Sequence, residues 1–365
     1  MISRLTPHAS LLTPTLMIMA GGTGGHVYPA MAVADFLKQQ GWRIVWLATE
    51  GGMENRLIAN KGYDVAVIRV SGVRGKGLLK KVMAPLQVLR ACWQSLTAMR
   101  CHKPDVVLGM GGFAAFPGGV MAWALRRPLV IHEQNSIAGL TNRLLAPFAK
   151  RVLAAFPSAF GDKAQLVGNP VRADIAAVAE PTARFAGRSG PLRLLVVGGS
   201  LGAQALNETV PQALALLPQA SRPEVVHQAG EKHIAELEKN YRKAGVRAET
   251  RAFIGDMAAM YAWADLVICR AGALTIAELA AAGVASVLVP FPHAVDDHQT
   301  HNARYLSDHG AAVLLPQAEL TAPKLAQLVD GHTRATLLAM AQQARALGKP
   351  QATATVANVC MELAA

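Results

Sequence analysis

The sequence predicts an α/β protein of two domains, each a parallel sheet covered by helices on both faces. Two observations carry that expectation. A strand–glycine turn–helix unit occurs twice, and apolar runs of strand length alternate with helical spacing after each copy. The length, 365 residues, also exceeds what one hydrophobic core commonly supports.

Residues 16–20 form a short apolar run that enters Gly21-Gly22-Thr23-Gly24-Gly25-His26, and residues 30–37 then have helical spacing. Strand-type runs follow at 43–48, 65–70, 106–110 and 129–132. The pattern restarts at 192–197, which enter Gly198-Gly199-Ser200-Leu201-Gly202-Ala203 and another helical stretch, with later runs at 224–228, 266–269 and 286–289. The stretch Gly168-Asn169-Pro170-Val171-Arg172 suits a boundary, giving domains at 1–171 and 172–347. Gly348-Lys349-Pro350 precedes a last helix within 348–365, whose Val356, Val359 and Leu363 share one side and are expected to pack back on the first domain. Two such domains leave a cleft, where ligands of open α/β sheets collect.

Composition narrows the function. With 52% hydrophobic and 16% charged residues the chain is not a disordered one. No apolar run reaches the roughly 18 residues of a membrane span. Residues 113–125 come nearest and are broken by Pro117, Gly118 and Gly119. Pro7 and Pro14 interrupt the first fifteen residues, so no secretory signal is expected. The cysteines Cys92, Cys101, Cys269 and Cys360 are scattered and read as buried thiols of a reducing compartment. The net charge of +12 resides entirely in residues 1–171, so that half is built to meet an anionic surface, lipid or phosphorylated substrate. Aromatic content of 5% argues against nucleic acid, where stacking side chains are needed.

A glycine turn at a helix N-terminus offers backbone N–H groups to phosphate. A dinucleotide would need G-x-G-x-x-G, but Val27 and Leu201 break that pattern, and no Gly-Lys-Ser/Thr occurs. A third cluster, Gly109-Met110-Gly111-Gly112, serves either an acceptor pyrophosphate at Gly111 and Gly112 or close helix–sheet packing. The run His293 to His301 contains Asp296, Asp297 and His298, but its spacing does not put a tidy ligand set on one helical face, so no metal is expected.

Taken together, GGTGGHVYPA at 21–30, SGVRGKG at 71–77, PDVVLGMGG at 104–112, HEQNSIAGLTN at 132–142, GNPVR at 168–172, GGSLGA at 198–203, FIGDM at 253–257, ADLVICRAGALTIAE at 264–278 and the segment 290–303 resemble the MurG family of N-acetylglucosaminyltransferases. The resemblance implies a GT-B fold of two Rossmann-like domains facing a deep cleft. It also implies inverting transfer of N-acetylglucosamine from UDP-N-acetylglucosamine to undecaprenyl-pyrophosphoryl-N-acetylmuramyl pentapeptide, without cofactor, at the cytoplasmic membrane face. Its donor contacts map onto Thr23, Gly24, Gly25, Asn135, Arg172, Ser200, Ile254, the run Ala273, Leu274, Thr275, Ile276, Ala277 and Glu278, and Gln299. Glu278 is expected to open a helix and accept from the ribose hydroxyls, while Gln299 and Asn302 suit sugar hydroxyls. Ala271 and Ala277 stand where the family commonly has serine.

His26 is the first candidate for the catalytic base, since imidazole titrates near neutrality, and Glu133 is the competitor. Val82, Leu86, Leu89 and Trp93 recur at helical spacing beside Lys80 and Lys81, which suits either a core face or an interfacial helix on anionic lipid. Expected partners are therefore the two substrates, an anionic membrane surface and other cell-wall synthesis proteins. The alternatives are a nucleotide-sugar epimerase of the same fold, which would not need a basic first domain, and a non-enzymatic nucleotide or nucleic-acid binder.

Overall fold

The computed structural model describes residues 13–70, 84–199 and 202–364. Its strands are β1 Thr15–Met19, β2 Arg43–Thr49, β3 Asp64–Ile68, β4 Val106–Gly109, β5 Leu129–Glu133, β6 Arg151–Ala154 and β7 Gln165–Leu166. Then come β8 Arg193–Val197, β9 Glu224–Gln228, β10 Glu249–Arg251, β11 Leu266–Cys269, β12 Ser286–Leu288 and β13 Val313–Leu314. They form two sheets, ordered β3-β2-β1-β4-β5-β6-β7 and β10-β9-β8-β11-β12-β13. The fold is thus of GT-B type, and each sheet contains the Rossmann order 3-2-1-4-5-6.

The pairing about β1 and β8 is parallel on both sides. Parallel strands need both faces covered, and the sequence provides for it. Along β8, Leu194 and Val196 enter one core with Leu266, Ile268 and Val287, while Leu195 enters a second with Val267, Cys269 and Leu288. Continuous apolar runs such as Leu16-Met17-Ile18-Met19 are fully buried for the same reason. Beyond the runs expected from sequence lie β6, β7, β10 and β13, two to four residues each. None of these four is a fully buried apolar run, unlike the equally short β4, β11 and β12, so they lack the continuous apolar signal by which a covered strand is read.

Two compact units emerge. One comprises Met1–His132, Leu140–Val152 and Val356–Ala365, and the other Glu133–Gly139 and Leu153–Thr355. Residues 153–171, assigned from sequence to the first domain, group with the second unit, as does the Glu133–Gly139 loop. The C-terminal helix Ala352–Ala364 buries Val356, Ala357, Val359 and Cys360. Cys269 is buried too, but Cys101 is exposed and Cys92 half-buried, because both lie on the partly solvated helix Ala84–His102.

Candidate active site

In sheets of this order ligands collect beyond the carboxyl ends of the strands at which the winding reverses, here β1/β4 and β8/β11. All three glycine clusters lie at those ends. In the first unit Met19 pairs with Gly109, so β1 and β4 end level, and the turns 20–25 and 110–112 emerge side by side. Gly111 and Gly112 have φ of 92° and 89°, a region that strains other residues. A Cβ on Gly112 would lie 2.5 Å from the Gly21 carbonyl oxygen, and one on Gly111 would lie 3.1 Å from the His26 ring. Close packing of the two turns is therefore one reason for these glycines, and it brings the backbone of 111–112 against His26.

The helix Gly24–Gln39 begins inside the first turn, with Thr23 as N-cap and His26 half-buried in the first helical turn. Thr23 makes no side-chain capping bond, so the leading amides of Gly24 and Gly25 receive no cap from it. Such amides are suited to an anionic oxygen. Below the turn, the Trp46 indole N–H donates to the Ala20 carbonyl at 3.0 Å.

In the second unit the turn after β8 is held by Gln228, whose Oε1 accepts from the Gly199 amide and whose Nε2 donates to the Gly199 and Ala252 carbonyls. Ser200 lies outside the described residues. The helix Ala273–Ala282 follows β11, with Gly272 as an N-cap that supplies no side-chain bond. Leu274, Thr275 and Ala277 are half-buried, whereas Ile276 and Ala273 are packed into the core and can meet a ligand through backbone only. Ile254 is buried likewise.

Glu278 lies in the second turn of this helix rather than at its start, because the helix opens at Ala273. The side chain is buried, and Oε2 accepts from the Tyr261 hydroxyl at 3.0 Å. Burial pushes its carboxyl up to about 7, against the opposing pull of the Arg172 guanidinium and the Tyr261 hydrogen bond. Arg172 occupies the N-cap position of the short helix Ala173–Ala176, without a side-chain capping bond, and is 3.8 Å from Asp174.

The Glu133–Gly139 loop is organised by its own first residue. The Glu133 carboxylate is buried and accepts from the amides of Asn135 and Gly139, both at 3.0 Å, and from the Asn135 side chain at 3.3 Å. Both oxygens are thus committed to holding the loop. Asn302 completes it: Oδ1 accepts from the Ser136 amide and hydroxyl at 2.9 and 2.8 Å, and Nδ2 donates to Asn135 Oδ1 at 3.4 Å and the Ala271 carbonyl at 3.3 Å. Fully buried and saturated, Asn302 positions Asn135 instead of meeting sugar hydroxyls as its sequence position suggested. Gln299 Oε1 accepts from the Phe291 amide at 2.9 Å. Before it, Asp296 and Asp297 both have φ near 50° (54° and 49°), marking a sharply turned loop. Among the described residues the acids and imidazoles of this segment do not converge on a metal-ligand set.

The apolar stripe of the first half lies on the helix Ala84–His102. Its core face is Ala91, Ser95 and Met99, while Leu86, Leu89 and Trp93 are 60%, 66% and 68% exposed. The stripe is therefore not core. Arg90 is exposed beside it, and the neighbouring helix Ala115–Ala124 leaves Trp123 exposed, a residue the sequence reading did not single out. Lys80, Lys81 and Val82 lie outside the described residues. No helix among the described residues is long and apolar enough to cross a membrane.

Comparison with known proteins agrees with this layout. Residues 16–154 match the glycosyltransferase family 28 N-terminal domain and residues 193–356 its C-terminal domain. A UDP-N-acetylglucosamine--N-acetylmuramyl-(pentapeptide) pyrophosphoryl-undecaprenol N-acetylglucosamine transferase of Azoarcus sp. is 62% identical over 96% of the chain and 98% of its own length. The Dechloromonas aromatica transferase of the same description is 58% identical over 97% and 100%. Among solved structures, Acinetobacter baumannii MurG superposes with a TM-score of 0.85 at 43% identity, covering 96% of this chain and 99% of that one.

Proposed function

The chain belongs to the MurG family within glycosyltransferase family 28, and from that premise we infer the chemistry performed by its two units. It is a glycosyltransferase that moves N-acetylglucosamine from UDP-N-acetylglucosamine to the undecaprenyl-pyrophosphoryl-N-acetylmuramyl pentapeptide, converting lipid I to lipid II in peptidoglycan synthesis. The observation that carries this is the high identity to such transferases over nearly the whole chain, with both family domains matched.

The residue roles are our proposal. An acceptor hydroxyl attacks the anomeric carbon as UDP departs from the opposite face, so one group must take a proton and others must stabilise charge on the diphosphate. His26 takes the proton. Its place in the first helical turn beside Gly111 and Gly112 supports this, as does the commitment of both Glu133 oxygens to backbone amides. Glu133 then serves by holding Asn135 toward the donor.

The Gly111–Gly112 backbone suits anionic oxygens, and the basic surplus of residues 1–171 favours the acceptor pyrophosphate there. On the donor side, Ser200 and Arg172 take the diphosphate, Ile254 offers backbone and an apolar wall to uracil, and Glu278 accepts from the ribose hydroxyls. Thr23, Gly24, Gly25, the 273–277 segment and Gln299 complete the donor contacts.

The exposed stripe Leu86, Leu89 and Trp93, with Lys80, Lys81 and Val82 preceding it, docks the enzyme as a peripheral protein on the anionic cytoplasmic leaflet where its lipid acceptor resides. Other cell-wall synthesis proteins are proposed as neighbours there. The experiment is direct: purified protein is given labelled UDP-N-acetylglucosamine and a lipid-linked muramyl peptide. Transfer of label onto the lipid is expected. Hydrolysis or epimerisation of the donor without transfer would overturn the assignment.

A further inference from the structure

Beneath the first glycine turn lies a carboxylate that the transfer chemistry has not used. Glu54, in the short helix Met53–Ile58 after β2, is fully buried. Its Oε1 accepts from the Thr49 amide at 2.8 Å and the Thr49 hydroxyl at 2.6 Å, and its Oε2 accepts from the Gly22 amide at 3.4 Å. Among the described residues no Lys, Arg or His forms an ion pair with it. Two glycines make room for it: a Cβ on Gly21 would lie 2.8 Å from Glu54 Oε1, and one on Gly52 would lie 2.2 Å away. The carboxylate is thus clamped between β2's end and the turn that leads into His26.

Packing alone does not account for an acid here, because burying an unpaired carboxylate is costly and an apolar side chain would fill the space. What an acid adds is a group that accepts on both oxygens at once. One oxygen grips the rigid end of β2, and the other grips Gly22, which sits at a φ of 86° in the turn itself. On its other side Gly21 bears on Gly112, and Gly111 bears on the His26 ring. A shift of Gly21–Gly22 therefore passes directly to both turns of the acceptor half.

We propose that Glu54 is a positioning residue for the transfer reaction, fixing the height of the first glycine turn so that His26 and the Gly111–Gly112 backbone keep their relation. This rests on the reading of that turn as the reacting loop. Glu54→Gln keeps the shape and Thr49's acceptor but turns an N–H group toward the Gly22 amide. Gly52→Ala keeps the charge but pushes the carboxylate out of its slot.

Both variants are expected to lose about tenfold or more in kcat with acceptor KM within about threefold. That pattern marks an interaction expressed in the transition state. Hydrogen exchange of the amides at 20–27 is expected to rise, while the thermal midpoint changes by a few degrees. Wild-type kcat in folded Glu54→Gln and Gly52→Ala overturns the proposal, and so does loss of folding in both, which would make the role purely structural. His26→Ala run alongside separates the two ideas. If it alone loses kcat, only the positioning role falls. If none of the three loses kcat, the reading of the turn falls with it.

Discussion

Glu278, proposed as the ribose acceptor, offers the sharpest test of the donor site, because in that role its burial would tie ribose recognition to pH. Burial pushes its carboxyl up to about 7. A carboxyl accepts from two hydroxyls only when ionised, so donor binding should select the charged form. With a midpoint near 7, about a tenth of the molecules are charged at pH 6, half at pH 7 and nine-tenths at pH 8. The affinity for UDP-N-acetylglucosamine is therefore expected to rise about tenfold from pH 6 to pH 8, equivalent to about 1.4 kcal/mol. Binding should release close to one proton at pH 6 and about a tenth of one at pH 8.

Stability runs the other way. A carboxyl whose folded value lies above its unfolded one stabilises fully below about 4.5 and loses that contribution as pH rises through about 7. Glu278→Gln is thus expected to unfold at a higher temperature than wild type at pH 8, while binding donor at least tenfold more weakly at that pH and without pH dependence. Calorimetric titration in buffers of different ionisation enthalpy reads both the affinity and the proton count. A flat affinity between pH 6 and pH 8, or a pH dependence that survives in Glu278→Gln, would refute the ribose assignment.

Tyr261→Phe removes the hydroxyl that favours the charged carboxylate, so the midpoint of donor binding should move to higher pH, by up to about one unit. His26→Ala should lower kcat by about a hundredfold or more at saturating substrates, and a loss of only a few-fold would move the base elsewhere. Leu89→Glu with Trp93→Glu should weaken binding to anionic vesicles at low salt by at least tenfold, with turnover of a short-chain, water-soluble acceptor unchanged; unchanged sedimentation with vesicles would count against docking through this helix. His227 is buried between Tyr241 and Asn207, and burial pushes it down to about 3, so folding should lose about 1.4 kcal/mol per pH unit below about 6.5. Thermal melts at pH 7 and pH 5 should show a steeper loss in wild type than in His227→Gln.

The alternation of strand and helix was legible because strands covered on both faces are continuous apolar runs, as in 16–19 and 266–269. The glycine turns were legible because positive φ leaves few alternatives to glycine. The proposed donor and acceptor segments rest on ordered motifs that only a family resemblance could interpret. What sequence did not disclose were side chains whose partners are remote or whose polarity is turned inward. Asn302 reads as a sugar ligand until its bonds to Ser136, 166 residues away, are seen. Glu133 is a candidate base by sequence, but that its oxygens accept from the Asn135 and Gly139 amides could not be read there. Glu54 is an unremarked acid at the start of a short helix, and only the void left by Gly21 and Gly52 reveals its setting. The apolar stripe at 86–93 was ambiguous for a different reason: helical spacing fixes a face but not what the face meets.

The first unit is closed by the chain's last residues, 356–365, while the second is continuous from 153 to 355 apart from the seven-residue loop at 133–139. In biosynthesis this makes the second unit an insertion in the first. Its strands and cores are all available before the closing helix has left the ribosome, whereas the first unit must wait with an uncovered apolar surface until residues 356–365 have emerged. Val356, Ala357 and Cys360, fully buried in the finished protein, are the residues for which it waits. Loss of residues 356–365 would thus leave the second unit's cores intact and uncover apolar surface in the first.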